Sequence, residues 1–122
     1  MADPIHPNSP PPSRKTDEVF DTIKLVGNQI ANRYAGSSNT AQTWNDARTD
    51  MNMMLHSLWH NGSLWGATPD EAYTIRCGLG QSMTAQDIVE GRMRIEIEVA
   101  LEFPGKYTAI AFERQMSNAE NP

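Results

Sequence analysis

The residues best placed to do chemistry are the single cysteine, Cys77, and two histidines four positions apart, His56 and His60. A thiol beside an imidazole can form a nucleophile and base, and imidazoles at i and i+4 share a helix face, where they can grip a metal. The surrounding sequence completes neither. Cys77 closes the alternation Tyr73, Ile75, Cys77 against Thr74 and Arg76, the period of a strand with one buried face. A thiol buried there has a raised pKa and little reactivity. The histidines lack the intervening Glu of a zincin, and the third imidazole, His6, sits among prolines upstream. They read as surface or interface residues, and no metal and no cofactor is expected. Glu96, Glu98 and Glu102 share a solvent face with Arg94 and imply no apolar pocket for acid–base work. Gly78 and Gly80 in "CGLGQ" lack the spacing and the lysine of a phosphate loop. No catalytic residue is assigned. The competing reading, a small enzyme or ligand-binding protein using Cys77 with His56 and His60, is separable by thiol labelling of the folded protein.

Composition narrows the classes further. The 122 residues suit one modest domain. Ten Lys plus Arg against fifteen Asp plus Glu give a formal charge of -5, which disfavours a phosphate backbone, so no nucleic-acid partner is expected. No apolar run approaches the roughly 20 residues of a bilayer span, and the N-terminus lacks the apolar stretch of a secretory signal. No membrane partner is expected, and synthesis in a cytoplasm is. A single cysteine forms no internal disulfide.

The elements that must position these residues follow from texture. Five of the eight prolines fall before residue 13, so residues 1–15 read as a flexible Pro-rich arm. Thr16 or Asp17 caps a predicted helix over about 17–34, with Phe20, Ile23, Ile30 and Tyr34 at near-helical spacing. After a Gly-Ser-Ser-Asn loop, Trp44, Ala47, Met51, Met54, Leu55, Leu58 and Trp59 predict a second amphipathic helix between Thr43 and His60, ending near Asn61. "EAYTIRC" predicts a strand, "MTAQDIVEGR" one helical turn begun by Thr84, and "RMRIEIEVALEF" a long strand with one wet face. "KYTAIAFERQ" gives a last strand, with Tyr107, Ala109 and Ala111 on one side and Thr108, Ile110 and Phe112 on the other. Both faces are partly apolar, and the sequence leaves the buried one open. The predicted fold is α+β, two helices packed on a small, mainly antiparallel sheet over residues 16–114, followed by a flexible tail at 115–122.

The stretch "GSLWGATPDEAYTIRCG" then reads as a structural turn. Trp59 and Trp65 flank the helix exit, Gly62 and Gly66 let the chain turn closely, and Thr68-Pro69 caps a brief turn that delivers Tyr73 to the sheet.

Taken together, Leu58-Trp59, the turn from Gly62 to Ala72, Cys77 at a strand end, Asp87 to Arg92, the alternation Ile95 to Val99, and the strand Tyr107 to Phe112 resemble the C-terminal domain of contractile tail sheath proteins. The likeness runs from Trp44 to Phe112, about 70 of the 122 residues. Sheath subunits are several times longer and carry large N-terminal domains. The resemblance therefore implies either a C-terminal fragment of a sheath or a small separate protein, a sheath initiator or connector, and the opening Met1 favours the latter.

The family exchanges strands between neighbouring subunits, so the resemblance implies β-augmentation in a sixfold homo-oligomeric ring. Partners would be tail sheath subunits, the tail tube and baseplate proteins, in the tail of a virion. The last strand, with Lys106, Tyr107, Thr108, Ala109, Ile110, Ala111 and Phe112, is the expected exchanged edge, and Asp46, Arg48 and Asp50 are the expected salt-sensitive contact with the tube.

Overall fold

The computed structural model describes residues 13–117. Its elements run α1 (Ser13–Tyr34), α2 (Ala41–His60), α3 (Pro69–Ala72), β1 (Tyr73–Arg76), α4 (Ala85–Val89), β2 (Arg92–Phe103) and β3 (Lys106–Gln115). The strands form one antiparallel sheet in the order β1-β2-β3, so the longest strand is central and both neighbours are edges. This is the α+β class that the sequence pattern predicts. Met93, Ile95, Ile97, Val99 and Leu101 of β2 join Ile23 and Ile30 of α1 and Met51 and Leu55 of α2 in one core, while Arg94, Glu96 and Glu98 alternate on the other face.

Local chemistry accounts for the boundaries. Thr40 caps α2 by accepting from the Thr43 amide, and Gly62, at φ +89°, follows the C-cap Asn61. Thr68 caps α3 with Pro69 at its first position, where a missing N–H costs nothing. Thr84 and Asp87 form a reciprocal capping box on α4, two amides satisfied by two side chains.

Several boundaries differ from those predicted. α1 begins at Ser13 rather than near residue 17, which places Thr16 and Asp17 inside the helix. Arg14 and Lys15 are good helix formers, and nothing between Ser13 and Thr16 stops a helix from starting early. Its core face also turns: Val19 and Ala31 are buried with Ile23 and Ile30, whereas Phe20 and Tyr34 are half-buried. At the other end the predicted tail does not begin at 115. Gln115 belongs to β3, Met116 is buried, and the Ser117 amide donates to the Ser37 carbonyl at 2.9 Å. Residues 1–12 of the predicted arm and 118–122 of the tail lie outside the described residues.

The ambiguity in β3 resolves through α1. Ile110 and Phe112 face the core and Tyr107, Ala109 and Ala111 are exposed. Phe112 is accommodated because α1 carries no side chain opposite it: a Cβ on Gly27 would fall 2.3 Å from Phe112 Cζ. Gly27 thus gives up helix propensity, about 1 kcal/mol against Ala, for close approach of helix to strand. We expect Gly27→Val to destabilise the domain by about 1–3 kcal/mol through overpacking, and Phe112→Leu to recover part of that loss in the double variant. Urea unfolding midpoints measure both; an unchanged midpoint for Gly27→Val shows that α1 does not rest on Phe112.

Candidate functional site

The turn between α2 and β1 is bonded to every layer around it. The Trp59 indole donates to the Gly66 carbonyl at 2.8 Å, and the Trp65 amide donates to Ala100 O at 2.9 Å, beside β2. Tyr107 of β3 donates its hydroxyl to Glu71 O at 2.8 Å, across the sheet face, and the Glu71 carboxylate accepts from the Ala67 amide. Gly66 sits at φ +130°, and a Cβ there would lie 2.9 Å from the Ala72 backbone nitrogen. Pro69 opens α3 directly beneath. Trp65 is buried, and its indole N–H has no hydrogen-bond partner among the described residues. The arrangement fixes the direction in which the chain leaves α2 and enters the sheet.

Cys77 and the histidines are not brought together. Cys77 is fully buried just past β1, and burial pushes its thiol up to about 12, with only partial opposition from the Arg48 charge. Arg48 donates to the Cys77 carbonyl, whereas His56 and His60 lie about 12 and 18 Å further along α2 by helical rise, both exposed. Among the described residues no group of three or more His, Cys, Asp or Glu side chains is placed to hold a metal. No helix among them is long and apolar enough to cross a membrane.

Asp46, Arg48 and Asp50 carry internal bonds. Asp46 accepts from Gln42 Nε2 at 2.9 Å, Arg48 bonds Asn45 Oδ1 at 3.0 Å besides Cys77 O, and Asp50 accepts from Tyr34 Oη and from Arg33 at 3.2 Å. Burial, then the bond to Asp50, raises the Tyr34 phenol to about 12. A contact with another molecule through these three residues would compete with bonds that already join α2 to α1 and β1.

On the sheet face away from the helices, charges form a cross-strand ladder. Arg76 lies opposite Glu96 and bonds it at 3.3 Å, and Arg94 bonds Glu96 at 2.7 Å and its partner across the ladder, Glu113, at 2.6 Å. The Arg94 bond, then that from Arg76, holds the Glu96 carboxyl below its ordinary range. Such half-exposed pairs contribute little stability, about 0–1 kcal/mol each. Their effect is to keep a face that no described element covers wet and paired in charge.

Both sheet edges are open along part of their length. At the end of β3, the Met116 amide bonds Gly91 O toward β2, while Gln115 O and the Ser117 amide bond Gly36 and Ser37 on the other side. By strand alternation, the main chains of Thr108, Ile110 and Phe112 turn inward to β2, and those of Tyr107, Ala109 and Ala111 turn to the open edge. Lys106 begins the strand opposite Phe103. At the opposite edge, β1 borders an open groove of about 520 Å³ lined by Asn45, Arg48, Thr49 and Asn52 of α2 and by Asp70, Tyr73, Thr74 and Ile75. The main chain of Ile75 and the carbonyl of Tyr73 face this groove by the same alternation, the Tyr73 amide being taken by Pro69 O. The sequence reading missed it because a short strand between two turns gives no sign of what lies beside it.

No protein-family profile and no curated protein matches the chain. Chains similar to it occur in several solved structures, among them two assemblies. One is the cryo-EM structure of the anti-feeding prophage (AFP) baseplate, 6-fold symmetrised, with 29% identity, a TM-score of 0.66, and coverage of 77% of this chain and 26% of that one. The other is the cryo-EM structure of an extracellular contractile injection system, the PVC sheath complex in contracted state, with 31% identity, a TM-score of 0.51, and coverage of 61% and 21%. The chain spans about a quarter or less of the length of these neighbours. They are components of contractile injection machines, and the fold of this chain is that of one segment within them.

Two outcomes follow from this geometry. Gly66→Val should cost roughly 1–3 kcal/mol, because it combines a left-handed φ with a backbone clash; thermal unfolding at the parent temperature would remove the tight-turn account. Cys77 should react with an aromatic disulfide reagent only when the chain is unfolded by denaturant. Rapid stoichiometric labelling of the folded protein would instead mark an activated thiol and reopen the enzyme reading.

Proposed function

We propose that the chain is a non-enzymatic structural subunit of a contractile tail or related injection machine, in which its open sheet edges pair with strands from neighbouring subunits. Within that class it acts as a sheath initiator or connector that templates a sixfold ring. Its partners are sheath subunits, baseplate proteins and the tail tube. The observation that carries this reading is the likeness over 77% of the chain to a component of a sixfold baseplate, at 29% identity. The physical support is a three-stranded sheet in which, among the described residues, no further strand covers the outer sides of β1 and β3, a template for β-augmentation. A second reading, a C-terminal piece of the sheath itself, is favoured by the small share of the neighbours that the chain spans.

The edge strand Lys106–Phe112 serves as an acceptor in this reading, because β2 already holds its inner side from Thr108 onward. A proline at Ala109 removes only an outward N–H from an exposed position, whereas a proline at Ile110 removes a bond to β2 in the core. We expect Ala109→Pro to keep the parent circular dichroism and to lose the ability to seed rings from cognate sheath and tube proteins; Ile110→Pro serves as the misfolding control. Thr49→Trp fills the groove beside β1 from an exposed helix position and tests the other edge. Seeding by both folded variants at the parent level defeats the strand-pairing proposal. Seeding at substoichiometric amounts marks an initiator, whereas a sheath fragment only blocks growth.

A further inference from the structure

The exposed side of α2 presents Met53, His56 and His60 at positions i, i+3 and i+7, within one 60° sector of the helix by the roughly 100° turn per residue. Met53 is 65% exposed, so its thioether is open to solvent, and both imidazoles are exposed. The His56 and His60 rings are nearly parallel, 9° apart, with centroids 6.5 Å from each other. A metal–imidazole nitrogen bond is about 2 Å long, so gripping one ion requires both exposed rings to turn out of this stacked arrangement, His56 leaving its edge contact with Trp59. The Trp59 indole stands beside both rings, with centroids 5.4 Å from His56 and 6.4 Å from His60.

We propose that Met53, His56 and His60 form an exchangeable copper site on the outer face of α2. Two imidazoles and a thioether are the donor set that suits copper, and Cu2+ stands at the top of the divalent affinity order for nitrogen ligands. The two imidazoles chelate, and the thioether adds a soft donor that favours the reduced ion. Because the side chains stand on the last two turns of α2, an ion held across them clamps the helix end from which Trp59 bonds Gly66. The site is not of the closed structural kind, since water or a second molecule completes the coordination. It is independent of the assembly reading above, as it uses a helix face and no sheet edge.

The test titrates the full-length chain with CuCl2 in a non-chelating buffer and follows tryptophan fluorescence. Copper within a few ångströms of Trp59 quenches it, so we expect saturable quenching at one equivalent, reversed by EDTA. His60→Ala leaves one imidazole and removes the chelate, which should weaken Cu2+ binding on the order of 100-fold. Met53→Leu should leave Cu2+ binding near the parent value and weaken Cu+ binding, measured by competition with a bicinchoninate probe. His6→Ala controls for the remaining imidazole of the chain. Circular dichroism verifies that the variants keep their helices, as these exposed positions allow. Quenching that survives in His56→Ala/His60→Ala, or that disappears in His6→Ala alone, places the ion elsewhere and overturns the proposal; so does the absence of saturable quenching in the parent.

Discussion

The helix layer settles onto the sheet at one contact that tolerates no side chain, Gly27 of α1 against Phe112 of β3. The close approach lets Arg114, two residues further along the same strand, reach Asn32 Oδ1 at 2.8 Å and Asn28 Oδ1 at 2.7 Å on α1. With α1 so placed, the loop that leaves it runs beside the end of β3, where Gly36 and Ser117 exchange main-chain bonds with Gln115 and Ser37. The loop in turn presents Asn39, a buried amide that accepts from the Trp44 indole at 2.6 Å and donates to Arg92 O at 3.0 Å. One side chain thereby joins the start of α2 to the start of β2, and its loss would leave two buried polar groups unpaired. Tyr34 to Asp50 closes the circuit between the helices. The position of α2, and hence of the turn and groove beside it, depends on a glycine in the preceding helix.

The two faces of β2 are governed by different terms. Its inner face is dry, and each side chain there adds to a core through area removed from water, about 25 cal/mol per Å². The outer face has no layer above it among the described residues, and its arginines and glutamates are paired within the face itself. Balanced charge of this kind resists accidental stacking of one sheet on another without closing the edges. The face discourages association while the edges permit it, and this directs any pairing with another chain into the plane of the sheet.

Much of the fold was legible because local chemistry and tertiary structure agree. Thr68-Pro69, Thr84 with Asp87, and the alternation from Met93 to Leu101 each announce an element that the structure contains. What was not legible depends on residues distant in sequence. Gly27 inside a helical run looks like a weak point until Phe112, far down the chain, is seen against it. Asn39 reads as one more polar loop residue, and the apolar content of both faces of β3 gives no basis for choosing between them. Arg48 and Asp50 look like free surface charges in the sequence because their partners, Cys77 O and Tyr34, lie on other elements. The edge groove escaped for the same reason, since it is a space between elements rather than a pattern within one.

That space has a geometric cause. Helices side by side occupy about 10 Å each, and strands about 4.8 Å, so two helices span roughly the width of four strands. Among the described residues the sheet supplies three. α1 rests on β3 and β2 through Phe112 and the core, and α2 therefore extends past β1, the shortest strand, over the groove. The overhanging side carries Asn45, Thr49 and Asn52, which are themselves bonded within the domain: Asn45 Oδ1 accepts from Arg48, the Thr49 hydroxyl donates to Asn45 O, and Asn52 Oδ1 accepts from the Tyr73 hydroxyl. A proline-rich segment fits poorly there, because each proline at an inward position lacks the N–H that the β1 edge would bond. One more extended strand beside β1 would make the width of the sheet equal to that of the helices above it.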